Sequence, residues 1–379
     1  MPTTRKGVWD LQQVRDQYLA GEWEQQFELW SWGYNNEGQL GQNNRTQYSS
    51  PVQIPGTTWS SVNGGGESTT NNFSLATKTD GTLWSWGTNL FGQLGQNNQT
   101  QYSSPVQIPG TTWSFVSGGR FHSSSTKTDG TLWSWGRNEV GQLGQNNRTY
   151  YSSPVQIPGT TWSTVSSATY HSISTKTDGT LWSWGYNNFG QLGQNNGTQY
   201  SSPVQIPGTT WRYIDARKSS SLATKTDGTL WTWGLNQFGQ LGHNDRTNYS
   251  SPRQIPGTTW NIARFSVNAD HTIATKTDGT LWVWGRNQGG NLGQNNTIDY
   301  SSPVQIPGTS WSLIGGGGSR IQFATKTDGT LWSWGSNNMG TLGQNNRTYY
   351  SSPVQIPGTQ WSAMSSGYNH TYNLKALVQ

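Results

Sequence analysis

Few side chains in this 379-residue chain are suited to acid–base or metal chemistry. There is no cysteine, which excludes a thiol nucleophile, a disulfide framework and a cysteine-based zinc site. The five histidines are His122, His171, His243, His271 and His370. Four occupy a recurring G-x-x-H place at the start of a strand-like run, where a ring of imidazoles could converge on a metal. Three copies of that place lack histidine, and metal ligands need close convergence. The reading is therefore structural, and no metal or other cofactor is expected. Of the 18 carboxylates, six are the Asp of Asp-Gly turns and five lie within the first 28 residues. The remainder are scattered, with no acid/base pair among them. No phosphate loop, serine elbow or zinc motif is present, so the chain reads as non-enzymatic.

What the chain has in abundance is 23 Trp and 48 Gly. Charged residues make up 11% and hydrophobic ones 30%, against about 25% and about 45–50% in an ordinary globular chain. Aromatics at 13% and a net charge of +5 disfavour disorder, so the core must be built largely of Trp. No apolar run reaches the roughly 18 residues needed to span a bilayer. The first 25 residues hold no signal-peptide core. Membrane insertion and Sec-type secretion are not indicated.

The elements that must position any site come from a repeat. Leu-Trp-x-Trp-Gly begins at Leu29, Leu83, Leu132, Leu181, Leu230, Leu281 and Leu331, 49 to 54 residues apart. Each copy runs LWSWG-xNxxGQLGQNN, YSSPVQIPGTTW, a variable stretch and ATKTDGT. The alternation in Trp30-Ser31-Trp32 is a strand signal. Asp-Gly between strand-like runs predicts a type I′ hairpin. About four short strands per repeat is the size of a propeller blade. The first copy begins at Phe27 without its upstream strand, and the last ends in residues 370–377, which resemble that missing strand. Pairing of the two chain ends would close a seven-bladed ring and leave no exposed edge.

The string S-W-G-x-N-x-x-G-Q-L-G, followed by G-x-x-H-S and D-G-x-L-W-S-W-G, resembles the regulator of chromosome condensation (RCC) repeat over residues 27–379. The resemblance implies an all-β, seven-bladed propeller closed by exchange of terminal strands. It does not fix function. Relatives include a guanine-nucleotide exchange factor, a plant ultraviolet photoreceptor and a secreted β-lactamase inhibitor. The photoreceptor's G-W-R-H-T motif has no Trp at the matching places here, Arg120, Thr169 and Tyr368. The only insertion, Asn63–Asn72, reads as a small-residue loop, unlike the exchange factor's wedge.

Seven internal copies can be compared with one another. Variation falls in the x-N-x-x-G turn and in the loop between the third Trp and ATKTDG. The resemblance places both loops near the central channel on one face. The turns supply the candidate binding residues Tyr34, Phe91, Arg137, Phe189, Phe238 and Arg286. The loops supply Arg120, Phe121, Tyr170, Arg217, Lys218, Arg320 and Tyr368. Tyr, Phe and Arg are favoured at recognition surfaces. Three invariant Trp per copy, for example Trp30, Trp32 and Trp59, read as blade packing. The Lys of TKTDG, such as Lys78, is expected to be balanced by the turn Asp. That leaves a modest excess of loop Arg and Lys, including Arg264, too dispersed for a nucleic-acid binder.

Residues 1–26 lie outside the repeat. Val8, Leu11, Val14, Tyr18 and Leu19 follow a helical pattern between Asp10 as N-cap and Gly21 as stop. Arg5 to Leu11 and Gly21-Glu22-Trp23 resemble the leader of tail and other structural proteins of marine bacteriophages. That resemblance implies an anchor, Val8, Trp9, Leu11, Val14, Tyr18 and Trp23, that attaches the ring to other virion proteins. The expected function is a phage virion binding protein that recognises a host surface protein or glycan through its loop face. The alternatives are a bacterial partner-binding or inhibitor propeller in the cytoplasm and, less favoured, a polysaccharide-acting enzyme.

Overall fold

Within each Leu-Trp-x-Trp-Gly strand the leucine, the small residue and the second Trp are fully buried, while the first Trp is half-buried. A strand with one indole on each face needs cover on both sides, and neighbouring sheets supply it. In a computed structural model of the chain, the described residues are 27–66, 71–265, 270–315, 320–367 and 370–376. They form seven four-stranded antiparallel sheets. The blade of residues 113–157 is typical: Trp113–Gly118 is innermost, then His122–Lys127, Leu132–Gly136 and, outermost, Tyr151–Ile157. Innermost strands touch their neighbours in order around a closed circle. The helix and anchor read in residues 1–26 lie outside the described residues.

The blades number one to seven from residues 59–108 round to the closing blade, which joins Trp361–Ser366 and His370–Ala376 to Phe27–Gly33 and Tyr48–Ile54. Register runs from Phe27 opposite Ala376 to Gly33 opposite His370. The chain ends thus complete the ring as expected.

The recurring G-x-L-G, with Gln at x in five copies and Asn291 or Thr341 in the other two, is the saddle on which the next blade sits. Trp184 is fully buried and donates its indole N–H to the Gln142 carbonyl, 2.9 Å away, in the preceding blade. Gly144 (φ +67°) must lack a side chain, because a Cβ there would lie 3.0 Å from Trp184 Nε1. The same turn is organised from inside by Asn138. Its Oδ1 accepts the Leu143 N–H (3.0 Å) and its Nδ2 donates to the Asn147 carbonyl (3.0 Å). Buried, hydrogen-bonded Ser and Asn, such as Ser134 and Asn138, thus replace the missing aliphatic residues, since a satisfied buried polar group carries little penalty. Trp184→Ala should cost about 3–5 kcal/mol, read by urea denaturation. Trp182→Ala, at the half-buried position, should cost less.

Two expectations are corrected, and the place of the turn lysines is sharpened. The Asp-Gly hairpins are not type I′, because only the glycine has positive φ: Gly81 is at +76° and Asp80 is not among the positive-φ residues. Gly81 N–H donates to the Lys78 carbonyl and Lys78 N–H to that of Thr82. This is a type I turn followed by a glycine bulge, and the Asp caps it by accepting from the Thr82 N–H (2.9 Å) and hydroxyl (2.6 Å). After the Thr bonds, the turn lysine's charge also helps to hold that carboxyl below its usual range, as expected, though no ion-pair contact forms between them among the described residues. Lys127 Nζ instead lies 4.5 Å over Trp113 and 4.6 Å over Trp133, a cation–π clamp. The stretch from Asn63 is not all loop, since the innermost strand of blade one runs Trp59–Gly65.

Candidate binding face

The two variable segments of each copy are physically joined. The residue after the Trp-Gly strand donates its N–H to the connection between first and second strands. Examples are Arg137 to Phe121, Tyr186 to Tyr170, Leu235 to Ser219 and Arg286 to Asp270. Connections of adjacent blades also touch, as where Gly66 N–H reaches the Gly119 carbonyl at 2.9 Å. The sequence places variation in two separate segments; the fold makes them one surface around the channel end.

On blades one to four the variable residues converge. Phe91 meets Phe121 edge-on, with centroids 5.0 Å apart, and Tyr150 at 6.0 Å. The Arg137 guanidinium lies 4.9 Å over both phenyl rings and 5.9 Å from Tyr170. It is fixed by Glu139 Oε2 at 2.5 Å. Arg120 covers the other side of the cluster, 4.7 Å over Phe121. Tyr170, Tyr186 and Phe189 continue the aromatic chain at 6.1 and 6.4 Å. Beside them opens a cavity of about 390 Å³, lined by Arg120, Glu139, Val140, Thr169, Tyr170, Tyr186, Phe189, Lys218 and Ser219.

Other expected residues have different places. Phe121 is buried and supports Arg120 and Arg137 from below rather than presenting its own ring. Arg217 is not in a loop: it ends the strand Trp211–Arg217, is buried, and donates to the Gly118 carbonyl two blades away at 3.3 Å. Phe238 and Arg286 form a second, smaller group, 4.5 Å apart, in which Asp270 binds both Arg286 and Lys218 at 3.3 Å. Among the described residues no ring contact or ion pair ties Tyr34 or Arg320 to either group. Tyr368 and the anchor residues lie outside the described residues, and Arg264 falls within the strand Trp260–Phe265. Tyr150, 43% exposed, belongs to the face but was not singled out. The signal was available, since Gln47, Gln101, Gln199, Asn248 and Asp299 hold that place in other copies.

The histidines of the recurring place are buried at blade junctions. His122 Nε2 lies 3.0 Å from Ser172 Oγ, and His171 Nε2 lies 2.9 Å from Ser221 Oγ. Each serine spends its own proton on a carbonyl of the preceding blade, Gln142 or Gln191. The imidazoles are therefore neutral and donate from Nε2. Burial pushes His122, His171, His271 and His370 down to about 3. Among the described residues no cluster of His, Asp and Glu could hold a metal ion.

Seven segments, residues 28–70, 80–125, 129–174, 178–216, 227–275, 278–319 and 328–374, match the model of the regulator of chromosome condensation (RCC1) repeat. The chain belongs to the RCC1 repeat family. This RCC1 propeller superposes on human WBSCR16 with a TM-score of 0.81 at 23% identity, covering 93% of this chain and all of that one. It also superposes on Prp20p from Saccharomyces cerevisiae, with a TM-score of 0.82 at 20% identity, covering 94% and 93%. At these identities the likeness is one of fold. In sequence, RCC2 of Homo sapiens is 37% identical over 81 residues and the RCC2 homolog of Danio rerio 38% over 87. Those stretches are 21% of this RCC1 propeller and only 15% and 16% of the two relatives. The yeast structure is described with its binding to Gsp1p and histones.

Proposed function

We propose that this RCC1 propeller is a non-enzymatic binding ring that recognises a partner protein through the channel-end face of blades one to four. The observation that carries the reading is the Arg120–Arg137–Tyr170–Phe189 array beside its cavity. Aromatic rings and guanidinium groups dominate binding hot spots. Turn and connection are tied together by backbone hydrogen bonds, Arg137 to Phe121 and Tyr186 to Tyr170, so less ordering entropy opposes association. Acid–base chemistry has no support there. Glu139 is taken by Arg137, Asp270 by Lys218 and Arg286, and the histidines are buried. The leader extends the reading: its likeness to phage structural proteins supports a ring attached to a virion, with a host surface molecule as the partner.

Two experiments test this. Phe189→p-benzoylphenylalanine, irradiated in the source organism, should crosslink the partner, whereas the same change at Ile298, 61% exposed on another loop, should not. The combined Tyr170→Ala, Phe189→Ala and Lys218→Ala variant should then bind that partner about a hundredfold or more weakly, with its melting temperature unchanged. Unchanged affinity moves the site elsewhere. Mass spectrometry of purified phage particles from the source should contain the chain; its absence overturns the virion part alone.

A further inference from the structure

At the opposite ends of the same innermost strands lies a second set of cavities, repeated between blades. Four have volumes of about 310, 330, 360 and 380 Å³. In the one between blades three and four, Gln194, Asn195 and Pro207 come from the first blade, and Trp211, Lys225 and Trp231 from the second. The corresponding residues line the other three, except that His243 replaces the glutamine in one. The remaining junctions carry the same residue types in the sequence.

Part of this set is explained by the scaffold. Trp211 is buried against the core, and Asn195, in the left-handed region, donates its N–H to Ser250 of the next blade. The lysine is not explained in that way. Lys225 Nζ lies 4.6 Å over Trp211 and 4.4 Å over half-buried Trp231, and the same clamp recurs at Lys78, Lys127, Lys176, Lys276, Lys326 and Lys375. None of the seven makes an ion pair among the described residues. A leucine or methionine would cover the indoles equally well, without placing a half-buried charge in the cavity wall. The copies also agree at these wall positions while they differ at the channel-end face.

We propose that the inter-blade cavities are equivalent binding sites for an acidic glycan. A carboxylate or sulfate makes the direct ion pair that each lysine does not form within the described residues, the turn Asp being held by Thr, as Asp227 is by Thr229. The Gln and Asn amides bond ring hydroxyls, and the edge of the half-buried indole packs against the apolar face of a sugar ring. Sites repeated around one rigid ring suit a polymer with a repeating charge, because linked weak contacts multiply into high avidity. This site is separate from the channel-end face, and the two proposals stand or fall independently.

The test titrates the intact chain, by calorimetry and Trp fluorescence, with an oligogalacturonate and with a heparin-derived oligosaccharide. Neutral dextran and a single-stranded oligonucleotide serve as controls. Binding of at least one acidic glycan and of neither control is expected; the two glycan arms separate carboxylate from sulfate recognition. Replacing all seven lysines by Gln should abolish binding, while replacement by Arg, which keeps both charge and stacking, should preserve it. If the Gln variant does not fold, Lys225→Gln with Lys276→Gln should lower the stoichiometry by two sites. The proposal is overturned if neither acidic glycan binds, if the oligonucleotide binds as tightly, or if the folded Gln variants bind unchanged.

Discussion

A chain ending at residue 369 is expected to lose its cooperative unfolding transition and to self-associate. The missing strand, His370–Ala376, is the second strand of the closing blade, with Phe27–Gly33 on one side and Trp361–Ser366 on the other. Its removal strips the ladder from both neighbours and exposes two unpaired edges, ready templates for pairing with another chain. It also removes Tyr372, which is fully buried and accepts hydrogen bonds from Ser74 Oγ (2.6 Å) and Trp86 Nε1 (3.1 Å) in blade one. Leu374 goes with it, from the same cluster as Trp59 and Trp86. Two large buried side chains contribute about 1.5–3 kcal/mol each. Each backbone group left buried without a partner adds about 1–3 kcal/mol, while Trp86 keeps its 2.8 Å bond to the Gln39 carbonyl. The sum is of the order of a domain's whole stability, about 5–15 kcal/mol. Size-exclusion chromatography and a thermal melt check this. A monomer that melts like the full chain would mean that six blades hold the ring without the closure. Tyr372→Phe, which keeps the ring but not the hydroxyl, should cost only about 1 kcal/mol, because Ser74 and Trp86 both retain the Gln39 carbonyl as acceptor.

The repeat made the blades, their number and the closure legible, because each rests on residues that recur at a fixed period. Interactions between copies were harder to read. The Trp184–Gln142 bond and the inter-blade cavities join residues of successive repeats, and nothing within one copy points to them. The Lys–Trp clamp was missed for a local reason: Lys127 and Asp129 are neighbours in sequence, but the turn directs the carboxylate to Thr131 and the lysine to the indoles. On the binding face, comparing copies found Arg120, Arg137, Tyr170 and Phe189, which the fold brings together. It could not tell outward from inward residues. Phe121 and Arg217 vary as freely as their neighbours and yet are buried, because a channel needs filling as well as a rim.

Mild acid should destabilise this ring before any carboxylate is protonated. His122, His171, His271 and His370 are buried, and each is pushed down to about 3. The leading cause is desolvation, which disfavours the charged form. Geometry agrees: Nδ1 of His122, His171 and His370 has no hydrogen-bond partner among the described residues. In the unfolded chain these groups protonate near pH 6.5. Between about pH 6.5 and 3 the unfolded state therefore binds protons that the folded state refuses, and stability must fall as pH falls. One unit below 6.5, each histidine costs about 1.4 kcal/mol, so four cost on the order of 5 kcal/mol. The turn aspartates, such as Asp80, lie below their usual range because Thr82 bonds the carboxylate. Their contribution is present above that range and is lost only at still lower pH, so it does not blur the histidine window. Urea denaturation at pH 7.5, 6.5 and 5.5 should show stability falling by about 1–1.5 kcal/mol over the first interval and by about 4 kcal/mol over the second. Replacing His122 and His171 by Gln should remove about half of that fall, whatever it does to stability at pH 7.5. Stability that holds from pH 7.5 to 5.5 would show that the four imidazoles accept protons in place, and that the blade junctions are wetter than their packing implies.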